Sequence, residues 1–339
     1  MQNFYYLGEE ASVGKALKKK ARDSGNKIGL LFLLLVVLQL SVSLLYEIVI
    51  TVLTAVGHSD AAQILLTSTA TQFVVYLISL GLCILIARMF ISMRQFNYHE
   101  DVDTAPIALA LPSEKVSGLD FFSAVFVCLG AAMAGNFITT LIDSILAFLD
   151  LPTPEISFGT PTSVAETVLY FISIAILPPF LEEILCRGYI YQLTKGYGAF
   201  VSSVIGGVTF MLFHQNFAQF PLAFCFGFAM GYMIYRFKNI WIGIVAHFIN
   251  NFMASIITLM MEAWGVSENF TTLFSEIYVA TAISLGVISL AYLLASGKLK
   301  TTPATDRCPG ATATILFSPA YIVFAVISIG LAVVALFLL

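Results

Sequence analysis

The 339-residue chain is 59% hydrophobic and 11% charged, with a mean hydropathy of +0.93, whereas ordinary soluble proteins are about 25% charged. This excludes a soluble globular domain, and apolar runs of about 20 residues indicate membrane helices rather than a β-barrel. The net charge of −4 singles out no partner, and no basic patch interleaved with aromatics suggests nucleic acid.

In chain order, the polar segment 1–27 comes first and carries Lys15, Lys18, Lys19, Lys20, Arg22 and Lys27. Nine apolar spans follow, at 28–56, 63–91, 119–148, 164–193, 199–214, 217–236, 240–262, 274–296 and 315–338. The first is too long, and lies too far into the chain, for a cleaved signal peptide. The expected fold is therefore all-α, a polytopic membrane helix bundle of about nine transmembrane helices. No internal repeat or low-complexity tract is evident.

Charge sets the expected orientation. Cytoplasmic segments are enriched in Lys and Arg, so the basic N-terminal segment is placed inside. Nine spans then put 1–27, 92–118, the turns near 194–198 and 237–239, and 297–314 on the inner side. All 16 Lys and Arg residues lie in or beside these segments. The outer segments near 57–62, 149–163, 215–216 and 263–273 carry none. The C-terminus falls outside, as does the glycosylation-type triplet Asn269-Phe270-Thr271, a pattern common by chance. The absence of a retention signal favours a bacterial plasma membrane. Four of the five cysteines (Cys83, Cys128, Cys186 and Cys225) lie in apolar runs and Cys308 in a polar loop, without CxxC spacing, so neither a disulfide framework nor a zinc knuckle is indicated.

The fourth span carries the most unusual stretch, Leu181-Glu182-Glu183-Ile184-Leu185-Cys186-Arg187-Gly188. A charge at membrane depth costs about 2.5–3.5 kcal/mol on insertion scales. Glu183 and Arg187 are four apart and can pair on one helix face. Glu182 is five from Arg187 and points to another side, which makes it the carboxylate expected to do chemistry. Two histidines lie in later spans. His214 follows Phe210 by one turn. His247 shares a face with Asn251, four residues on.

These groups reach similar depths. Glu182 precedes the turn at Tyr197 by 15 residues and His214 follows it by 17, rises of roughly 22 and 26 Å. They can meet across an antiparallel hairpin. His247 and Asn251 lie 8 and 12 residues past Asn239, roughly 12 and 18 Å up. Each has a bland reading: an isolated intramembrane Asn or His is more often an interhelical hydrogen-bonding group, and Glu183 with Arg187 reads as a structural ion pair. Together they suit hydrolysis of an amide, with a carboxylate as base and His and Asn as donors to an oxyanion. The same Glu182, His214 and His247 could instead ligate a divalent metal such as zinc. HExxH, GxGD and GxSxG patterns of other intramembrane proteases are absent from the sequence.

Glu182-Glu183-x-x-x-Arg187, then Phe210-x-x-x-His214, then His247-x-x-x-Asn251, closely resembles the CPBP family of intramembrane proteases. That family includes the CAAX-prenyl endopeptidases and bacterial Abi proteins. The intervals match its pattern, as do Gly227-Phe228-Ala229-Met230-Gly231-Tyr232 and Asn239-Ile240-Trp241. The resemblance covers about 164–255. Cys186 departs from it, where the family often has an aromatic residue.

The resemblance implies that Glu182 activates water assisted by His214, that His247 and Asn251 stabilise the oxyanion, and that Glu183 and Arg187 hold the site. It divides the chain into a cytoplasmic basic segment 1–27, three helices over 28–163, a catalytic core over 164–262 in the fourth to seventh helices, and two helices over 263–339. The implied activity is cleavage of a membrane-associated peptide or protein, prenylated or bacteriocin-like, within the lipid bilayer. No cofactor is expected, since only two histidines are available and no carboxylate is evident to support them as ligands; the family has also been described as metal-dependent. A non-catalytic immunity or binding protein on the same scaffold is the alternative. A transporter is a third reading, against which stands the lack of a repeat relating the two halves.

Overall fold

In a computed structural model, residues 2–67, 111–151, 160–299 and 309–338 are described, with isolated positions between 71 and 85. The elements are α1 (Gln2–Ala55), α2 (Ser59–Thr67), α3 (Gly118–Phe148), α4 (Val164–Tyr197), α5 (Ala199–Phe213), α6 (Phe220–Phe237), α7 (Trp241–Glu262), α8 (Glu268–Ala295), α9 (Ala311–Leu316) and α10 (Pro319–Leu338). Side chains are described from Gly14 onward. The architecture is an all-helical polytopic bundle.

Among the described residues, seven helices are long and apolar enough to cross a membrane: α1 from Gly14, α3, α4, α6, α7, α8 and α10 to Leu336. The fifth predicted span is the shorter α5, of 15 residues. Most of the second predicted span, 63–91, lies outside the described residues. The basic segment expected to precede the first span is instead continuous with it: α1 runs unbroken for 54 residues. No proline interrupts residues 2–55, so nothing in the covalent backbone breaks the hydrogen-bond ladder there.

Serines start two of the spans. Ser117 accepts from the Asp120 backbone N–H at the head of α3, and Ser163 does the same for Glu166 at the head of α4. Such caps satisfy donors that no helical carbonyl can reach. Between α4 and α5 the chain turns at Gly198, whose φ of +100° suits glycine. The loop before α3 is stitched to the turn before α7: Ile240 N–H donates to the Pro112 carbonyl at 2.7 Å and Glu114 N–H to the Lys238 carbonyl at 2.8 Å.

The core lies where α3, α5, α6 and α7 meet. α5 packs along α6, α3 packs on both α6 and α8, and α7 lies against the first half of α4. α1 pairs with α9 and α10, and Gly29 permits the close approach, because a Cβ there would run into the Tyr321 backbone. Around this core large apolar side chains face outward, such as Leu44 and Leu45 on α1, Phe137 on α3 and Ile288 on α8. In water these faces would be a liability; against lipid they are the expected surface.

Candidate active site in the α4–α7 core

α4 is not a uniform helix. It widens into π-helical turns at Ile172–Ile176 and Ile184–Tyr189, separated by Leu177–Glu183 with Pro178 and Pro179 at its start. Proline removes a backbone donor and disturbs the ladder behind it, and single π turns recur at functional sites. The two acidic residues sit between these distortions.

Glu183 is fully buried and Arg187 is 2% exposed. Their side chains meet at 2.8 Å, Nη1 to Oε1. The same Oε1 accepts from His247 Nδ1 at 3.1 Å. Three groups from α4 and α7 are thus tied at one carboxylate oxygen. The backbone makes room for them. A Cβ on Gly243 of α7 would lie 2.8 Å from Glu183 Oε2, and one on Gly227 of α6 would lie 3.0 Å from Arg187 Nη2.

Phe210 of α5 connects this cluster to the second histidine. The Arg187 guanidinium carbon lies 4.3 Å from its ring centroid, a cation–π contact. The His214 and His247 rings meet it edge-on, with centroids at 4.6 and 5.7 Å. Phe226 of α6 flanks His247 at 5.8 Å. His214 Nδ1 lies 2.7 Å from the Phe210 carbonyl. A carbonyl only accepts, so Nδ1 carries the proton and Nε2 keeps the lone pair in the neutral ring.

Glu182 and His214 are partly exposed, as a site open to substrate requires, whereas His247 is buried. His214 lies within electrostatic reach of Glu182, His247 and Arg187. Asn251, one turn beyond His247, has a different set of partners. Its Nδ2 donates to the Ile174 carbonyl of α4 at 3.0 Å, and its Oδ1 accepts from Asn250 Nδ2 at 3.2 Å.

Residues 164–253 match the family model described as Type II CAAX prenyl endopeptidase Rce1-like. This segment is similar to CAAX proteases. It spans α4 through most of α7 and supports the CPBP resemblance carried by the three motifs. The family is a protease family, which supports peptidase activity of the CAAX intramembrane type. No curated protein and no solved structure gives a match to the chain.

Within the matched segment, Glu183 pairs with Arg187 as the i,i+4 spacing suggested, while Phe210 meets His214 edge-on rather than stacked. Sequence reasoning missed the second partner of Glu183, His247, and the anchoring of Asn251 on Ile174. Only the prolines hinted at that anchoring, by marking a carbonyl without its helical donor. Among the described residues, no three His, Cys, Asp or Glu side chains are grouped to hold a metal ion. The donor set does not fit a metal as it stands.

Proposed function

We propose that the chain is an intramembrane endopeptidase that cleaves a membrane-associated peptide, with prenylated CAAX-type or bacteriocin-like chains as the substrate class. The observation that carries this reading is the buried contact of Glu183 with His247. It joins the first and third motifs of the CAAX-protease segment in one site, beside the second histidine.

Glu182 takes a proton from a water whose oxygen attacks the scissile carbonyl carbon. His214, with its Nε2 lone pair available, helps to orient that water. The carbonyl oxygen becomes an oxyanion facing donors from His247 and the second N–H of Asn251. When the C–N bond breaks, the proton on Glu182 passes to the departing amine. Glu183 holds His247 by Nδ1 and directs Nε2 toward the reacting carbonyl. Because Nδ1 donates to Glu183, His247 offers a donor to the oxyanion only through an N–H on Nε2. The basic segment 1–27 lies on the cytoplasmic side, with the C-terminus on the opposite side.

The test compares membranes carrying wild-type protein with membranes carrying Glu182→Gln, by mass spectrometry of newly formed peptide termini. Termini present only with wild type are expected, and they identify substrate and cleavage site together. Identical termini, with both proteins folded, overturn the protease reading in favour of a binding or immunity protein on this scaffold.

A further inference from the structure

We infer that Pro178 and Pro179 are positioning residues for Asn251: together they leave the Ile174 carbonyl without a helical donor, and that carbonyl orients the Asn251 amide. The inference rests on the oxyanion role proposed for Asn251, but its physical core is independent of that role.

In a helix a carbonyl accepts from the N–H three, four or five residues ahead, in the 3₁₀, α and π patterns respectively. For Ile174 these are residues 177, 178 and 179. Leu177 N–H is committed to the Ile172 carbonyl, in the π pattern. Residues 178 and 179 are both proline and have no N–H. All three helical routes to Ile174 are therefore closed by covalent structure or by an existing bond. Within a membrane-spanning helix a carbonyl without a partner is costly, and Asn251 Nδ2 supplies one at 3.0 Å.

The contact also fixes which way the amide faces. The Ile174 carbonyl demands the nitrogen, and Asn250 Nδ2 demands the oxygen, at 3.2 Å. Two partners of opposite demand leave one orientation for the Asn251 side chain. One N–H is spent on Ile174, and the other is left pointing to substrate. The proline pair of α4, three and four residues before Glu182, thereby aims a group on α7.

The test is a thermal cycle on purified full-chain protein, paired with the membrane assay. Asn251→Ala, Pro178→Ala/Pro179→Ala and their combination are compared with wild type. In the wild-type background Asn251→Ala strands the Ile174 carbonyl and lowers Tm by about 2–4 °C. With the prolines replaced, a backbone N–H reaches Ile174 and Asn251→Ala shifts Tm by less than half as much. Equal shifts in the two backgrounds overturn the inference.

In the membrane assay, the double alanine variant forms the wild-type-specific termini roughly tenfold more slowly at retained Tm. Outright loss of an oxyanion donor costs about 10²–10³-fold, so loosening one is expected to cost less. An undiminished rate overturns the positioning role even where the thermal cycle shows coupling. Absence of wild-type-specific termini overturns the protease reading and the positioning role with it, while the thermal cycle still decides the anchor. If the double variant does not fold, Pro178→Ala alone restores the α-pattern donor to the Ile174 carbonyl. A smaller Tm loss on adding Asn251→Ala in that background than in wild type is the expected result, and an equal one overturns the inference.

Discussion

Glu183 and His247 are 64 residues apart in the chain and meet at 3.1 Å, Oε1 to Nδ1. The same oxygen holds Arg187 at 2.8 Å. One carboxylate thus ties together the second half of α4, its own arginine and the histidine of α7. Electrostatically it is the anchor of the site, while Glu182 beside it is the more exposed carboxylate.

Glu183→Gln leaves the Arg187 guanidinium in a buried site with no charged partner. Removing one member of a buried pair costs about 3–5 kcal/mol. A clear fall in folded yield and in Tm of the purified protein is expected. Wild-type thermal stability in this variant would show that the pair does not hold the fold.

Gly243→Ala acts on the same carboxylate from the other side. The added Cβ would stand 2.8 Å from Glu183 Oε2 and 2.7 Å from the end of Ile234. Overpacking of this kind costs about 1–3 kcal/mol. Glu183 cannot swing away, because two partners hold its other oxygen. The displacement reaches His247, and a misplacement of about 1 Å can cost up to 10²-fold in rate. Activity measured on the wild-type-specific termini is expected to fall further than Tm does.

Tyr321→Phe tests whether the C-terminal helix supports the site. Tyr321 of α10 is 1% exposed, and its hydroxyl lies 2.9 Å from Thr209 Oγ1 on α5, one residue before Phe210. Loss of that bond costs about 0.5–1.5 kcal/mol. A small drop in Tm is expected with the fold retained. No change in Tm would argue that α10 contributes only apolar packing.

The Asp120–Lys298 contact gives a pH dependence. Lys298 Nζ lies 2.9 Å from Asp120 Oδ2, and this hydrogen bond raises the Lys298 pKa above its ordinary 10.5. A raised amine contributes its stability fully below the unfolded value and loses it as pH climbs through the folded one. Tm is therefore expected to fall more steeply above about pH 10.5 in wild type than in Lys298→Met. Identical alkaline profiles would show that the contact is inert.

Local features of the site were legible because helical periodicity fixes them. Four residues make one turn, so Glu183 had to face Arg187, and Phe210 had to lie under His214. The three motifs, their spacing and the placement of every Lys and Arg likewise follow from order along the chain. Seven spans emerged as helices of membrane length. The fifth was legible as an apolar run, but its 15 residues make it shorter than a typical crossing helix.

An all-helical membrane bundle, a segment similar to CAAX proteases and the side chains available to it follow from the linear chain, since hydropathy and covalent spacing are its properties. Only the tertiary structure decided that Glu183 also holds His247, that Phe210 touches Arg187 and both histidines, and that Asn251 answers the carbonyl left open by Pro178 and Pro179. Those contacts depend on how α4, α5 and α7 rotate and pack against one another. Close approaches at Gly227 and Gly243 set that packing, and no periodicity within one helix encodes it.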